Sequence, residues 1–145
     1  MSVGFITEQN INIARGLIRG TTVIHKFGRN PSVGGIPETI WEQGGVYTYL
    51  TVASTIYVYG ADAQDGAAGT GARTVTVQGL DANYKAIEET LTVDGAVSTK
   101  SFLRVFRAFV ASAGSLQTNK GDVLVSTGAS GTGTVLAKIA TIGTG

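Results

Sequence analysis

The stretch RTVTVQGLDANYKAIEETLTVDG, Arg73 to Gly95, constrains the fold of this chain more than any other. Val75 and Val77 fall on one face of an extended backbone and Thr74 and Thr76 on the other. Ile87, Thr90 and Thr92 alternate in the same way after a turn at Asp81 to Tyr84. Period-2 alternation on both sides of a polar turn is the mark of an antiparallel hairpin. A hairpin alone is marginal in water, so further strands must cover its apolar face. Val75, Val77, Leu80, Ile87 and Leu91 are therefore expected in the core.

The remaining chain can supply those strands. Residues 21–27 are a β-branched run stopped by Gly28, Asn30, Pro31, Gly34 and Gly35, which predicts a strand and then a loop ending near Pro37. A second β region is expected over residues 39–59, interrupted at Gly44 and Gly45, because VYTYL and STIYVYG alternate aromatic or branched residues with small polar ones. A polar loop at 61–72 leads into the hairpin. SFLRVFRAFVASAG fits a helix through Phe102, Val105, Phe106 and Phe109 and also alternates as a strand; its aromatic and β-branched content favours the strand. After a loop at 114–121, DVLVST and TVLAKIAT give two more strands around GASGTG.

Residues 1–20 do not settle into one period. Ile6, Ile11, Ile13, Leu17 and Ile18 suit a short helix, yet Gly16 and Gly20 interrupt it, each at about 1 kcal/mol. The expectation is an extended arm, too apolar for solvent, that needs a partner surface. With 21 Gly, 19 Thr and 15 Val in 145 residues, the composition suits short strands and tight turns. The predicted fold is all-β: a single-domain β-sandwich or small barrel over residues 21–145 with an N-terminal arm at 1–20.

Composition excludes several classes. A hydrophobic share of 43% argues against disorder, and no apolar run approaches the roughly 18 residues of a membrane helix. With no Cys there is neither a disulfide nor a thiolate metal site. Residues 1–10 lack the basic and apolar regions of a secretory signal, so the chain is expected to stay where it is made unless it leaves by lysis or inside a particle. The net charge of +1 is unevenly spread, with residues 1–30 at +3, 31–99 at −6 and 100–145 at +4. Such segments suit pairing between copies. A concentrated basic face of the kind nucleic acid requires is not apparent.

Several motifs point weakly to chemistry. Gly66 to Gly71 and Gly128 to Gly133 have phosphate-loop spacing and echo each other in five of six residues. Lys and Ser or Thr should follow, but Ala72 and Arg73, or Thr134 and Val135, stand there, and strands follow both loops; flexible turns are the better reading. The echo fits two related loops on one rim of a sandwich, or coincidence in a chain this rich in Gly, Ala and Thr. His25 is the sole histidine, with no partner for general-base work, and reads as structural or interfacial. Glu88 and Glu89 are strand neighbours that project to opposite faces and cannot flank one bond, while Glu38 and Glu42 lack an evident partner. Asp62 and Asp65 before Gly66 suggest either a cation loop or an Asx turn, and the calcium-loop ligand pattern is missing. Trp41, Tyr47, Tyr49, Tyr57 and Tyr59 cluster, as do Phe102, Phe106 and Phe109, which suggests core or subunit interface before a ligand platform. No catalytic, cofactor or metal residues are assigned.

Four segments in order, HKFGRNPSVGG, ETIWEQGGVYTYL, GTGARTVTVQGLDANYKAIEETLTVDG and SFLRVFRAFVASAG, resemble a family of small proteins from tailed-phage structural gene clusters. That family carries a similar HKFGxNP turn, ETIW segment, GARTVTVxGLD hairpin and SFLRVxRAxV segment, and the likeness spans about residues 21–125. The resemblance implies a virion protein without catalysis or cofactor: a capsid decoration (cement) protein, homotrimeric, on the capsid surface and bound to the major capsid protein. No membrane and no specific nucleic acid partner is implied. Ile11, Ile13, Arg15, Leu17, Arg19, His25 and Arg29 are the candidate assembly contacts. The alternatives are a tail, baseplate or head-to-tail connector component and, from another class, a carbohydrate-binding host-recognition domain.

Overall fold

The computed structural model describes residues 11–13, 17–18, 29–30 and 33–141. Among them six strands form two antiparallel sheets: β1 (Tyr57–Gly60), β2 (Ala72–Leu80), β3 (Ala86–Thr92), β4 (Arg104–Ala113), β5 (Val123–Ser126) and β6 (Val135–Ile139). One sheet has the order β1-β5-β6 and the other β3-β2-β4. The all-β expectation holds, and the arrangement is that of a sandwich. The strand expected at 21–27 and most of the arm at 1–20 lie outside the described residues.

Alternation decides which side chains meet between the sheets. Val58 of β1, Val123 and Val125 of β5 and Leu136 of β6 face Val75 and Val77 of β2, Leu91 of β3 and Val105 of β4, with Ile56, Val93 and Phe102 closing the core. Each buried Val, Leu or Phe contributes roughly 1.5–3 kcal/mol relative to exposure. The expected hairpin forms, with Val77 opposite Glu89 and Leu80 opposite Ala86. Leu80 and Ile87 are only half-buried, however, because they sit near the turn where the sandwich thins. The outer face of this sheet is polar, and Thr76 and Thr90 join hydroxyls at 2.8 Å, as do Thr74 and Ser112 at 2.6 Å.

β4 reads as a strand, as its composition suggested, but is irregular. Its pairing with β2 shifts register at three places, one of them between Gln78 and Gly79. At that shift a Cβ on Gly79 would collide with the Arg104 carbonyl, so glycine lets the strands approach. Irregular pairing twists an edge strand and blunts it against unwanted strand addition.

The second β region is corrected by the structure. Of residues 39–59 only Tyr57 to Tyr59 are in a strand, with one isolated bridge from Ser54 to Phe102; among the described residues VYTYL pairs with no strand. Side chains take the place of a neighbouring strand there. The Tyr47 N–H donates to the Thr39 hydroxyl (3.0 Å), and the Leu50 carbonyl accepts from the Arg104 guanidinium (2.7 Å).

The ends of the sandwich differ. Antiparallel pairing of β1 with β5 sets Tyr57 beside Ser126 and Gly60 beside Val123. The loop after Gly60 therefore leaves one end, here called lower, and the loop after Ser126 leaves the upper end. The two echoing glycine loops lie on opposite rims, not on one.

Asp65 ties the lower end together. Its carboxylate is 2% exposed and accepts N–H bonds from Ala72 (2.7 Å), Lys120 (2.9 Å) and Gly121 (2.8 Å), joining the 61–72 and 114–122 loops. Asp62 accepts from the Gln64 N–H at 2.8 Å, an Asx turn. Asp122 pairs with Lys138 at 2.8 Å and accepts from the Thr141 N–H, which together hold its carboxyl below the usual range.

Candidate functional site

At the upper end, residues 29–30 and 33–52 belong to a knitted loop, anchored from beneath and apolar on the outside. Its backbone closes through Thr39 N–H to the Gly45 carbonyl (3.2 Å) and Gly44 N–H to the Trp41 carbonyl (3.1 Å). Gly44 and Gly45 have φ of +75° and +67°, a left-handed pair that a side chain would strain. Glu38 accepts the Gly34 N–H (2.6 Å) and the Asn30 amide (3.0 Å). The Gly34 bond foremost, and the Asn30 bond with it, hold the Glu38 carboxyl below the usual carboxylate range.

The anchors are aromatic. Trp41 and Tyr47 are buried, with ring centres 4.9 Å apart in an edge-to-face arrangement, and the Trp41 indole N–H donates to Gly45 at 3.3 Å. The Tyr47 hydroxyl donates to the Leu136 carbonyl of β6 at 3.2 Å. Burial, foremost, raises the pKa of that phenol. Tyr49 packs edge-on against Tyr47, and the Arg104 guanidinium lies 5.2 Å from its ring centre, within cation–π range.

Outside these anchors the loop presents aliphatic side chains to solvent. Ile36 is 77% exposed and Val46 76%; Val33, Ile40 and Val52 are similarly open, and Tyr49 shows one face. Ile40 and Val46 each follow one end of the Thr39–Gly45 hydrogen bond. Single exposed aliphatics are ordinary; five on one well-held loop are a concentration of them. Glycine-rich punctuation in this segment marks turns, and the aliphatics between its glycines follow no period-2 alternation that would assign them to a buried face.

The candidate assembly contacts divide. Ile11 and Ile13 lie in a helical turn at 11–13, Leu17 donates its N–H to the Asn12 carbonyl (2.9 Å), and Leu17 is 68% exposed. Arg29 pairs with Glu42 at 3.2 Å within the loop. Arg15, Arg19 and His25 lie outside the described residues. Glu88 and Glu89 part as expected. Glu88 accepts from Gln78 on the outer face, and Glu89 accepts from the N–H groups of Thr99 (2.8 Å) and Lys100 (2.9 Å). Glu89 is partly desolvated, yet these bonds and the Lys100 charge keep its carboxyl below its ordinary value.

The fold and this surface define an all-β protein of two antiparallel sheets with an apolar loop displayed at one end. No protein-family model, curated protein or solved structure matches the chain.

Proposed function

We propose that this chain is a structural protein of a tailed-phage virion, a capsid decoration (cement) protein that binds the major capsid protein and its own copies, as a homotrimer, without catalysis or cofactor. The observation that carries the reading is this upper loop. Trp41, Tyr47 and Glu38 fix its shape, while Ile36, Ile40 and Val46 are spent on solvent, an arrangement suited to docking. One of the phage-like segments, ETIWEQGGVYTYL, falls on this loop. A sugar platform would instead display a row of aromatics, whereas in this cluster Trp41 and Tyr47 are turned inward.

Counting copies in purified particles tests the proposal, since closed symmetry fixes copy number. Decoration calls for roughly several hundred copies, because it follows the capsid lattice. About a dozen or fewer would move the chain to the tail or connector. Absence from particles, with binding on a glycan array, would replace the proposal with host recognition.

A further inference from the structure

Two places in the chain set an aspartate directly before a glycine, Asp65–Gly66 and Asp94–Gly95, and no asparagine precedes one. We infer that Asp94–Gly95 is a site of self-modification in the folded protein, where the Gly95 backbone amide attacks the Asp94 carboxyl and the chain isomerises to isoaspartate. The fold holds the chemically equivalent pair Asp65–Gly66 inert. This chemistry is independent of the role proposed above.

The reaction needs only the two residues and water. The Gly95 nitrogen forms a bond to Cγ of the un-ionised Asp94 carboxyl, the bond from Cγ to the hydroxyl oxygen breaks, and that hydroxyl leaves with the amide proton as water. The five-membered imide so formed then takes up one water. Opening at the side-chain carbonyl restores aspartate. Opening at the main-chain carbonyl gives isoaspartate, whose backbone runs through the former side chain and is one methylene longer. Nothing is oxidised or reduced, and the composition is unchanged. Glycine in the following position leaves the nitrogen open to attack, because it has no Cβ.

The structure separates the two pairs. Asp94 is exposed, at the third position of a turn closed by the Gly95 N–H on the Thr92 carbonyl at 3.1 Å, with φ of +55°. A turn with positive φ there suits Gly or Asn, so aspartate is strained and rearrangement of its backbone relieves the strain. Gly95 is required by the packing, since a Cβ would come within 2.9 Å of the Thr92 Cβ and 3.0 Å of its carbonyl oxygen. Among the described residues the Asp94 carboxylate accepts one bond, a long one of 3.2 Å from the Gly60 N–H. Asp65 is 2% exposed and accepts from Ala72, Lys120 and Gly121, and Gly66 donates its own N–H to the Ala72 carbonyl at 2.7 Å. To reach Gly66, the Asp65 carboxyl must abandon all three donors.

Conversion at Asp94 also acts on β1. The Asp94 N–H donates to the Val58 carbonyl (2.8 Å), the Ser98 N–H to the Ile56 carbonyl (2.9 Å), and the Ile56 N–H to the Ser98 hydroxyl (2.9 Å). These bonds lace residues 94–98 along the edge of β1. An added methylene at 94 displaces the first of them and loosens that strand.

The test holds the full chain warm near neutral pH, folded in buffer and in parallel unfolded in guanidinium, and then digests it with trypsin. Arg29, Arg73, Lys85 and Lys100 place the two pairs in separate peptides, 30–73 and 86–100. Isoaspartate is read by electron-transfer fragmentation and by an isoaspartyl methyltransferase. From the folded chain it should accumulate in 86–100, with a fraction lighter by one water, while 30–73 stays unconverted. From the unfolded chain both peptides should convert. Asp94→Asn keeps a carbonyl acceptor for Gly60 and suits the turn; the same attack then expels ammonia, so 86–100 should show the mass change of an amide turned to acid, sooner than the wild type converts. The isolated isoaspartate form should unfold at a lower denaturant concentration than fresh protein. An unconverted 86–100 in the folded wild type or in Asp94→Asn, over the time in which the unfolded chain converts, would overturn the site. Equal conversion of 30–73 in the folded chain would overturn the protection of Asp65, and an unchanged unfolding midpoint would overturn the link to β1.

Discussion

Tyr47 donates its hydroxyl to the carbonyl oxygen of Leu136, 89 positions further along the chain, and this bond holds the apolar loop on the end of β6. Removing the hydroxyl as Tyr47→Phe should cost about 1 kcal/mol. Tyr47→Ala also removes the packing against Trp41 and should cost about 3–5 kcal/mol. Denaturant unfolding measures both. Trp41, the only tryptophan, should shift its emission to the red in the alanine variant under native conditions.

Asp65→Ala should be among the most damaging polar substitutions. It strips the acceptor from the N–H groups of Ala72, Lys120 and Gly121. The buried Ala72 donor left unpaired costs about 1–3 kcal/mol and the two part-buried donors add less each, so a loss of about 2–3 kcal/mol is expected in urea unfolding. Asp62→Ala, which loses a single exposed turn bond, should cost less than about 1 kcal/mol.

Glu38 gives the loop a pH dependence. Its carboxyl is held below the ordinary value, so its contribution is fully present above the unfolded value of about 4.3 and is lost as pH falls through the lowered folded value. Trp41 emission should therefore stay constant from neutral pH to about pH 5 and change on further acidification. In Glu38→Gln the loop should already be loosened at neutral pH, and the acid-induced change should shrink.

Val77 lies at the centre of the core and is fully buried. Val77→Ala should cost about 2 kcal/mol, and Val77→Asp should give no soluble protein, because it places a carboxylate among Val75, Val125 and their neighbours. Glu88→Ala, on the outer face of the same hairpin, should stay within about 0.5 kcal/mol of wild type. Equal effects at the two positions would mean that the faces are reversed.

Residues 2–19 carry the apolar side chains Ile6, Ile11, Ile13, Leu17 and Ile18, and of these Ile11 is 43% exposed. Deleting 2–19 should leave the circular dichroism of the β domain unchanged and, under the decoration role proposed above, weaken binding to particles. Undiminished binding by the truncated chain would exclude these residues from the proposed contact.

The sequence by itself determined what depends on neighbours a few positions apart. The hairpin from β2 to β3, the strands β4, β5 and β6 and the turns between them follow from period-2 alternation and glycine placement. Both properties are local. Tertiary structure decided what depends on partners far along the chain. Tyr47 and Tyr49 alternate as a strand would, yet among the described residues their segment pairs with no strand, and Thr39, Arg104 and Leu136 bond its polar groups. Asp65 looked like a loop carboxylate, and its donors Lys120 and Gly121 lie more than fifty residues away. The glycine loops share a sequence and leave opposite ends, since antiparallel pairing of β1 with β5 reverses the chain between them. Alternation tells which side chains share a face, but not which backbone lies alongside. For Ile36, Ile40 and Val46 that difference decides between a core position and an open surface.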